Sequence, residues 1–235
     1  MSRIEFQNVT FTRRVYSDKR TALFGGKRFD ERKVINDLSI EINKGDRVGL
    51  IGSNGAGKTT LLRLIAGIFK PDLGSVHRTG DVSTFLDSGF GLDHMLSGRK
   101  NCVTRGVFMG LQNRELLDLT EWVCEFSELG DQFDEPLHTY SSGMIMRLVF
   151  AIGTSRLNEI LLIDEGIGTA DASFQQKAFK HLHEIYRNSS IHILASHQSQ
   201  LLAEQCTRGL VISHGVLLYD GPIDKALNFY SNQPN

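Results

Sequence analysis

The stretch Gly52-Ser53-Asn54-Gly55-Ala56-Gly57-Lys58-Thr59-Thr60 constrains this chain more tightly than any other. It follows Asp46 to Ile51, which reads as a short buried strand, and precedes a segment to Gly67 with Leu61, Leu64 and Ile65 at helical spacing. A glycine, four residues, then Gly-Lys-Thr between a strand and a helix is the pattern of a loop that wraps phosphate. Its glycines let backbone N–H groups converge on phosphate oxygens, and the helix N-terminus adds partial positive charge. In that arrangement Lys58 reaches the β- and γ-phosphates of a nucleoside triphosphate and the Thr59 hydroxyl ligates Mg²⁺. Gly52 through Thr60 are therefore the first candidate binding residues.

The chain around this loop has 235 residues, the size of one large domain or two small ones. Hydrophobic residues make up 40% and charged residues 23%, enough for a substantial core, and the net charge of −1 supplies no global basic field for nucleic acid or an anionic membrane. No apolar run approaches the ~18 residues of a membrane-spanning helix, and the start, MSRIEFQNVTF, lacks the apolar core of a secretory signal. Cys102, Cys124 and Cys206 are odd in number and far apart, so they fit neither a disulfide framework nor a zinc site. A soluble, cytosolic chain is expected, to which a partner brings any membrane.

Strand signals recur at 3–11, 34–42, 160–164, 191–195 and 209–219, and helical periodicity at 113–129, 143–157, 173–188 and 198–206. Such alternation predicts an α/β fold with a mostly parallel sheet covered by helices. Pro71 to Gly74 reads as a turn and Gly80 to Arg99 as an irregular, glycine-rich segment. Between Thr12 and Lys33 lies a basic excursion of roughly twenty residues with an apolar Leu23-Phe24 tip, a length that is usually functional or disordered.

Two further segments carry chemistry. Ile160 to Ile163 is an apolar strand that ends in Asp164-Glu165, and adjacent carboxylates repel unless a cation or water uses them. Beside a phosphate loop, Asp164 becomes a partner of Mg²⁺ and Glu165 the base that orients the attacking water. Ser141, Ser142 and Gly143 open the helix after Tyr140; the plain function of such residues is capping, the sharper one a second anion site.

Taken in order, these landmarks resemble the ABC-type ATPases. The family's usual Leu-Ser-Gly-Gly-Gln signature is matched here by Tyr140-Ser141-Ser142-Gly143-Met144. Asp171 in GTADAS lies where the family places a dimer-contacting aspartate, and His197 in LASHQ where it places a histidine on the γ-phosphate. The resemblance implies a P-loop ABC-type nucleotide-binding domain spanning 1–235, with a RecA-like core sheet, an antiparallel β lobe and a helical signature lobe at about 88–156. It also implies catalytic roles for Glu165 and His197, ATP and Mg²⁺ as cofactors, and two copies that close head to tail over two ATP molecules.

EFSELGDQFDEPLHTYSSGM, the SGRKN at Ser97 to Asn101 and DEGIGTADASFQQKA are similar to the ATP-binding subunits of bacterial exporters of O-antigen, capsule and teichoic acid. That narrower resemblance implies an integral membrane permease, a lipid-linked glycan substrate, no nucleic acid, and a peripheral position on the cytoplasmic face of the bacterial inner membrane. The sequence departs from the family pattern in three places. Asp87 stands roughly where a metal-binding Gln is usual. The aromatic that stacks on adenine is replaced by Arg13 or, nearby, Tyr16, and a guanidinium plane also stacks on a base. No carbohydrate-binding domain is expected before the end at Asn235. A soluble ABC ATPase of DNA repair or translation and the ATPase of a small-solute importer are the alternatives.

Overall fold

The structure is a computed structural model that describes residues 2–16, 29–85, 91–156, 158–164 and 172–233. Chain contacts divide it into two compact units, Met1–Val82 with Glu159–Asp164 and Ser190–Asn235, and Ser83–Asn158 with Glu165–Ser189.

In the first unit, β1 (Arg3–Tyr16) pairs antiparallel with β2 (Phe29–Asn43) and with β4 (Leu73–Thr79) in a three-stranded sheet of order β2-β1-β4. The long β1–β2 ribbon is bent where Asn8 and Asp37 take positive φ, the region these two residues tolerate best. Asn8 Nδ2 donates to Asp37 Oδ1 at 3.0 Å and the Asp37 N–H to Thr10 Oγ1 at 3.1 Å, which satisfies polar groups released by the bulge.

A second sheet has the order β5-β6-β7-β3-β8-β9, from strands Val82–Phe85, Ile160–Asp164, Ile191–Ala195, Arg47–Ile51, Arg208–Ser213 and Val216–Pro222 respectively. β6, β7, β3 and β8 run parallel and β9 returns antiparallel to β8. β7 is buried throughout and β3 beyond its first residue, as near-continuous apolar runs in a two-faced sheet must be. Helix α1 (Lys58–Ile65) buries Leu61, Leu62, Leu64 and Ile65. The C-terminal helices α6 (Ser199–Gln205) and α7 (Ile223–Ser231) sit close on this sheet, because a methyl at Gly49 would touch Leu202 and Ile223, and one at Gly209 would strike Ala226.

The second unit is helical: α2 (Gly98–Phe108), α3 (Arg114–Ser127), α4 (Ser142–Thr154) and α5 (Ala172–Asn188), with short 3₁₀ turns at Gly130–Asp134 and Leu137–Thr139. Cys102, Leu119, Val123, Phe133, Leu137, Leu148 and Ala151 are among its core residues. Burial pushes the Cys102 thiol up to about 11 and the Cys206 thiol up to about 12, so both stay protonated packing groups, as their scattered spacing implies.

Several local expectations change. The Pro71–Gly74 turn gives way to β4 from Leu73, and part of the glycine-rich segment is strand β5. The basic excursion is partly ladder, since backbone pairing continues out to Tyr16 and Phe29. Helix α2 escapes the apolar-period reading because its buried residues are Gly98, Asn101, Cys102 and Gly106. A Cβ at Gly106 would overlap Leu116 and Leu119, so α2 meets α3 through a missing side chain. Asn101, almost fully buried, accepts from the Asp93 N–H at 2.7 Å and donates to the carbonyls of Asp93, Leu96 and Ser97. No helix among the described residues is long and apolar enough to cross a membrane.

Candidate functional site

The register of the parallel sheet assembles the site. Leu50 of β3 pairs with Ala195 of β7, and Ala195 pairs with Asp164 of β6. The three strands therefore end in one row, and their following residues share the carboxyl edge where open α/β sheets bind ligands. With strands spaced about 4.8 Å apart, Asp164 stands roughly 10 Å from the end of β3, a gap its side chain, a metal and the Thr59 hydroxyl together span.

The loop after β3 is built as the sequence predicts. Ser53, Asn54 and Gly55 are exposed, whereas Gly52, Ala56, Gly57 and Lys58 are buried. Gly57 caps α1 at φ +114°, and a Cβ there would press on the Val34 carbonyl oxygen at 2.9 Å. One at Gly52 would collide with the Ile212 carbonyl. Only hydrogen side chains permit this course, and a ring of backbone amides is the result. The first turn of α1 holds no acidic residue and no side-chain cap, which leaves its N–H groups for an anion.

The Lys58 side chain folds back over the loop. Its Nζ donates to the Gly52 carbonyl at 2.6 Å and the Ser53 carbonyl at 3.2 Å. His197, two residues past β7, brings Nε2 to 2.8 Å from Asn54 Oδ1 and 3.4 Å from Lys58 Nζ. With its Nε2–H donated to the nearer Asn54 oxygen, His197 meets the ammonium as a neighbour only. Phosphate-loop cation, loop amide and histidine thus converge from β3 and β7. The donors suit the implied groups: backbone N–H and an ammonium for phosphate, and the hard oxygens of Thr59 and Asp164 for Mg²⁺.

The other predicted residues are placed as follows. Arg13 is exposed and pairs with Arg32, two residues from the Val34 that abuts Gly57; Tyr16 pairs with Phe29, farther out along the ribbon. Ser141, Ser142 and Gly143 start α4 in the helical unit. Ser141 Oγ accepts from the Met144 N–H at 3.3 Å, so the capping role is real and belongs to Ser141. Ser142 is exposed, and the space beside Gly143 is open except for Ser141 Oγ at 3.8 Å. Glu165, Asp87 and Asp171 lie outside the described residues.

A support of the loop escapes sequence reasoning. The Gly215 N–H donates to the Ala56 carbonyl and the Asn36 N–H to the Gly215 carbonyl, both at 2.9 Å, so the β8–β9 turn and β2 hold the loop from behind. The available signal was His214-Gly215 between two apolar runs, a tight-turn pair that here adopts positive φ at both residues.

Fold and loop together define a P-loop nucleotide-binding protein with a separate helical unit that presents a second, exposed helix start. A family profile described as ABC transporter matches residues 35–168, and the chain belongs to that family. It is 40% identical over 238 residues to the O-antigen export system ATP-binding protein RfbE of Yersinia enterocolitica, covering 95% of this chain and 99% of that protein. It is 32% identical over 231 residues to the teichoic acids export ATP-binding protein TagH of Staphylococcus haemolyticus, covering 97% and 87% respectively. Among solved structures, a dimeric post-hydrolysis ATP-binding cassette bound to ADP and phosphate superposes with a TM-score of 0.73 at 17% identity, over 94% of this chain and 98% of that one. That likeness supports the fold.

Proposed function

We propose that the chain is the ATP-hydrolysing subunit of an ABC exporter that moves a lipid-linked polysaccharide of O-antigen or capsule type across the bacterial cytoplasmic membrane. The near full-length identity to an O-antigen export ATP-binding protein carries this reading most directly, and the loop geometry supplies its chemistry. Residues 52–60 cradle the triphosphate, Lys58 neutralises its terminal charge, and Arg13 stacks on the base, being closer along the ribbon to the loop than Tyr16 is. Thr59 and Asp164, with Asp87 as a further candidate, hold Mg²⁺, which when bound neutralises the charge that develops on the phosphates. Glu165 orients the attacking water and His197 touches the γ-phosphate side of the pocket. Two copies close so that Ser141, Ser142 and Gly143 of one complete the site of the other, at the cytoplasmic face and against an integral permease. In a strain lacking the protein, undecorated lipid-linked glycan accumulates in the cytoplasm; normal export in that strain overturns the reading.

The permease-facing surface in this reading lies on the helical unit. Phe108 is 81% exposed, and Met95, Val107 and Leu117 are exposed beside it in sequence, an apolar grouping at one end of α2 that water alone does not favour. The Phe108→Asp chain should keep its thermal midpoint, because nothing buried is changed, yet lose at least about tenfold in co-purification with the permease. Undiminished co-purification removes Phe108 from the interface.

The β1–β2 ribbon is the proposed substrate-facing surface. Thr12 pairs with Lys33 and Arg13 with Arg32, while Arg14 is ion-paired to Glu31 at 3.4 Å. Like charges directly opposite each other destabilise a ladder, and an anionic neighbour such as a lipid pyrophosphate relieves that cost. The residues that carry the Leu23-Phe24 tip lie outside the described ones. Replacing 19–32 with a short Gly-Ser linker should preserve basal ATPase in the assembled complex and lower glycan export; normal export shows the ribbon has no substrate role.

A further inference from the structure

Glu128 follows α3 in a left-handed conformation, φ 55° and ψ 34°, where glycine is the residue of least strain. A charged side chain kept at such a position points to something it holds. Its carboxylate accepts from Lys177 Nζ of α5 at 2.7 Å and lies 3.7 Å from Arg147 Nη1 of α4. Lys177 Nζ also donates to the Phe126 carbonyl at 3.0 Å and sits 4.7 Å above the centre of the Phe126 ring. Arg147 in turn lies 5.1 Å over the ring of Phe174, in the first turn of α5. Phe126, Phe150 and Phe174, one from each helix, form a mutually packed set with ring centres 5.8–5.9 Å apart. Three helices are thereby locked by one carboxylate, two cations and an aromatic cluster, all within the helical unit.

The two joined helix ends matter. α4 begins with Ser142 and Gly143, and Arg147 lies one turn further along it. α5 begins at Ala172, directly after Asp171 in the chain and on the segment that leads from Asp164 and Glu165. We infer that Arg147, Glu128 and Lys177 are positioning residues that tie the signature helix to α5, so that a nucleotide engaging Ser142 from the partner subunit is felt at the Asp164-to-Asp171 stretch of the same chain. The inference rests on the proposed composite sites and adds to them the link between one site and the other. A bifurcated carboxylate between two cations suits this task, since charge-assisted bonds are directional and short where the geometry is held on both sides. Coupling through it is a difference between two arrangements of packed helices and requires no contact of these residues with nucleotide.

Glu128→Gly makes the test sharp. It deletes the carboxylate and at the same time relieves the left-handed backbone, so stability and coupling are predicted to move in opposite directions. In the full chain assembled with its membrane subunit, Mg-ATP hydrolysis is measured against ATP concentration for Glu128→Gly, Lys177→Met and Lys177→Arg. The first two should lose about tenfold in kcat and fall from sigmoidal to hyperbolic dependence, while half-saturating ATP stays within about twofold. Lys177→Arg, which keeps the cation, should retain most of the rate, and the thermal midpoint of Glu128→Gly should equal or exceed that of the parent. The inference is overturned if Glu128→Gly hydrolyses ATP as the parent does, if its loss is confined to KM, or if each loss tracks a lowered thermal midpoint. An inactive parent complex counts against the proposed function and everything resting on it; an active parent with an indifferent Glu128→Gly counts against the clasp alone.

Discussion

Lys58→Ala abolishes productive ATP use, whereas Glu165→Gln leaves ATP bound and stops turnover. The two losses differ because the two side chains act at different stages. Lys58 is 93% hidden in the loop by its own fold, with a relative exposure of 7%, and its Nζ is already held by the Gly52 and Ser53 carbonyls. Alanine removes the cation from inside the phosphate ring, so phosphate charge gathers against helix amides alone, and kcat/KM should fall by about 1,000-fold. Stability should change little, because the ammonium bonds only to backbone carbonyls of an exposed loop. Glu165→Gln keeps the shape and loses the base, a change of about 100- to 10,000-fold in turnover with nucleotide affinity retained. ATP-dependent dimerisation of Glu165→Gln, followed by gel filtration, is the positive sign of trapped nucleotide. Hydrolysis at the parent rate by Glu165→Gln in the assembled complex removes Glu165 from the role of base.

Mixing two inactive chains restores activity if the sites are composite. Lys58→Ala kills the loop of its own chain, and Ser142→Arg kills the signature it offers to the other. A mixed dimer then holds one doubly damaged site and one intact site. Equal mixing makes half of the dimers mixed, so up to about a quarter of the parent rate returns if the sites act independently. Arginine at 142 is a clean probe, because Ser141 carries the cap to Met144 and Ser142 is exposed. The substituted helix should fold and fail only where phosphate approaches. No recovery from mixtures whose chains fold and dimerise would falsify the composite arrangement.

Much of the candidate site was legible because it is local in sequence. Gly52 to Thr60 must turn from a strand into a helix within a few residues, and the glycines and lysine at that spacing leave one backbone course open. The strand ending at Asp164 and the strand before His197 were legible for a similar reason, since apolar runs bounded by polar residues read as buried strands. Nothing in their spacing, however, says that Asp164 and His197 end in the same row as the loop. That follows from the pairing of Leu50 with Ala195 and of Ala195 with Asp164, which is a choice among registers made by the whole sheet.

Helix α2 shows the opposite case. Its buried face is Gly98, Asn101, Cys102 and Gly106, so the usual apolar stripe is missing, and the helix is specified by close approach to α3 and by the bonds of Asn101. The β8–β9 turn behind the phosphate loop is likewise a contact between residues far apart in the chain, Gly215 with Ala56 and Asn36.

The sequence by itself determined that this chain carries a phosphate loop, a strand-borne acid pair and a second hydroxyl-rich helix start, because each is a short segment whose residue types and spacing dictate its own backbone. The tertiary structure alone decided which of those segments meet: sheet register brings His197 to Asn54 and Lys58, the cap assigns Ser141 to the helix and exposes Ser142, and a strained Glu128 gathers Arg147 and Lys177. Local propensity acts over a few residues, whereas these meetings depend on burial and pairing summed over the fold, which no single stretch of the chain contains.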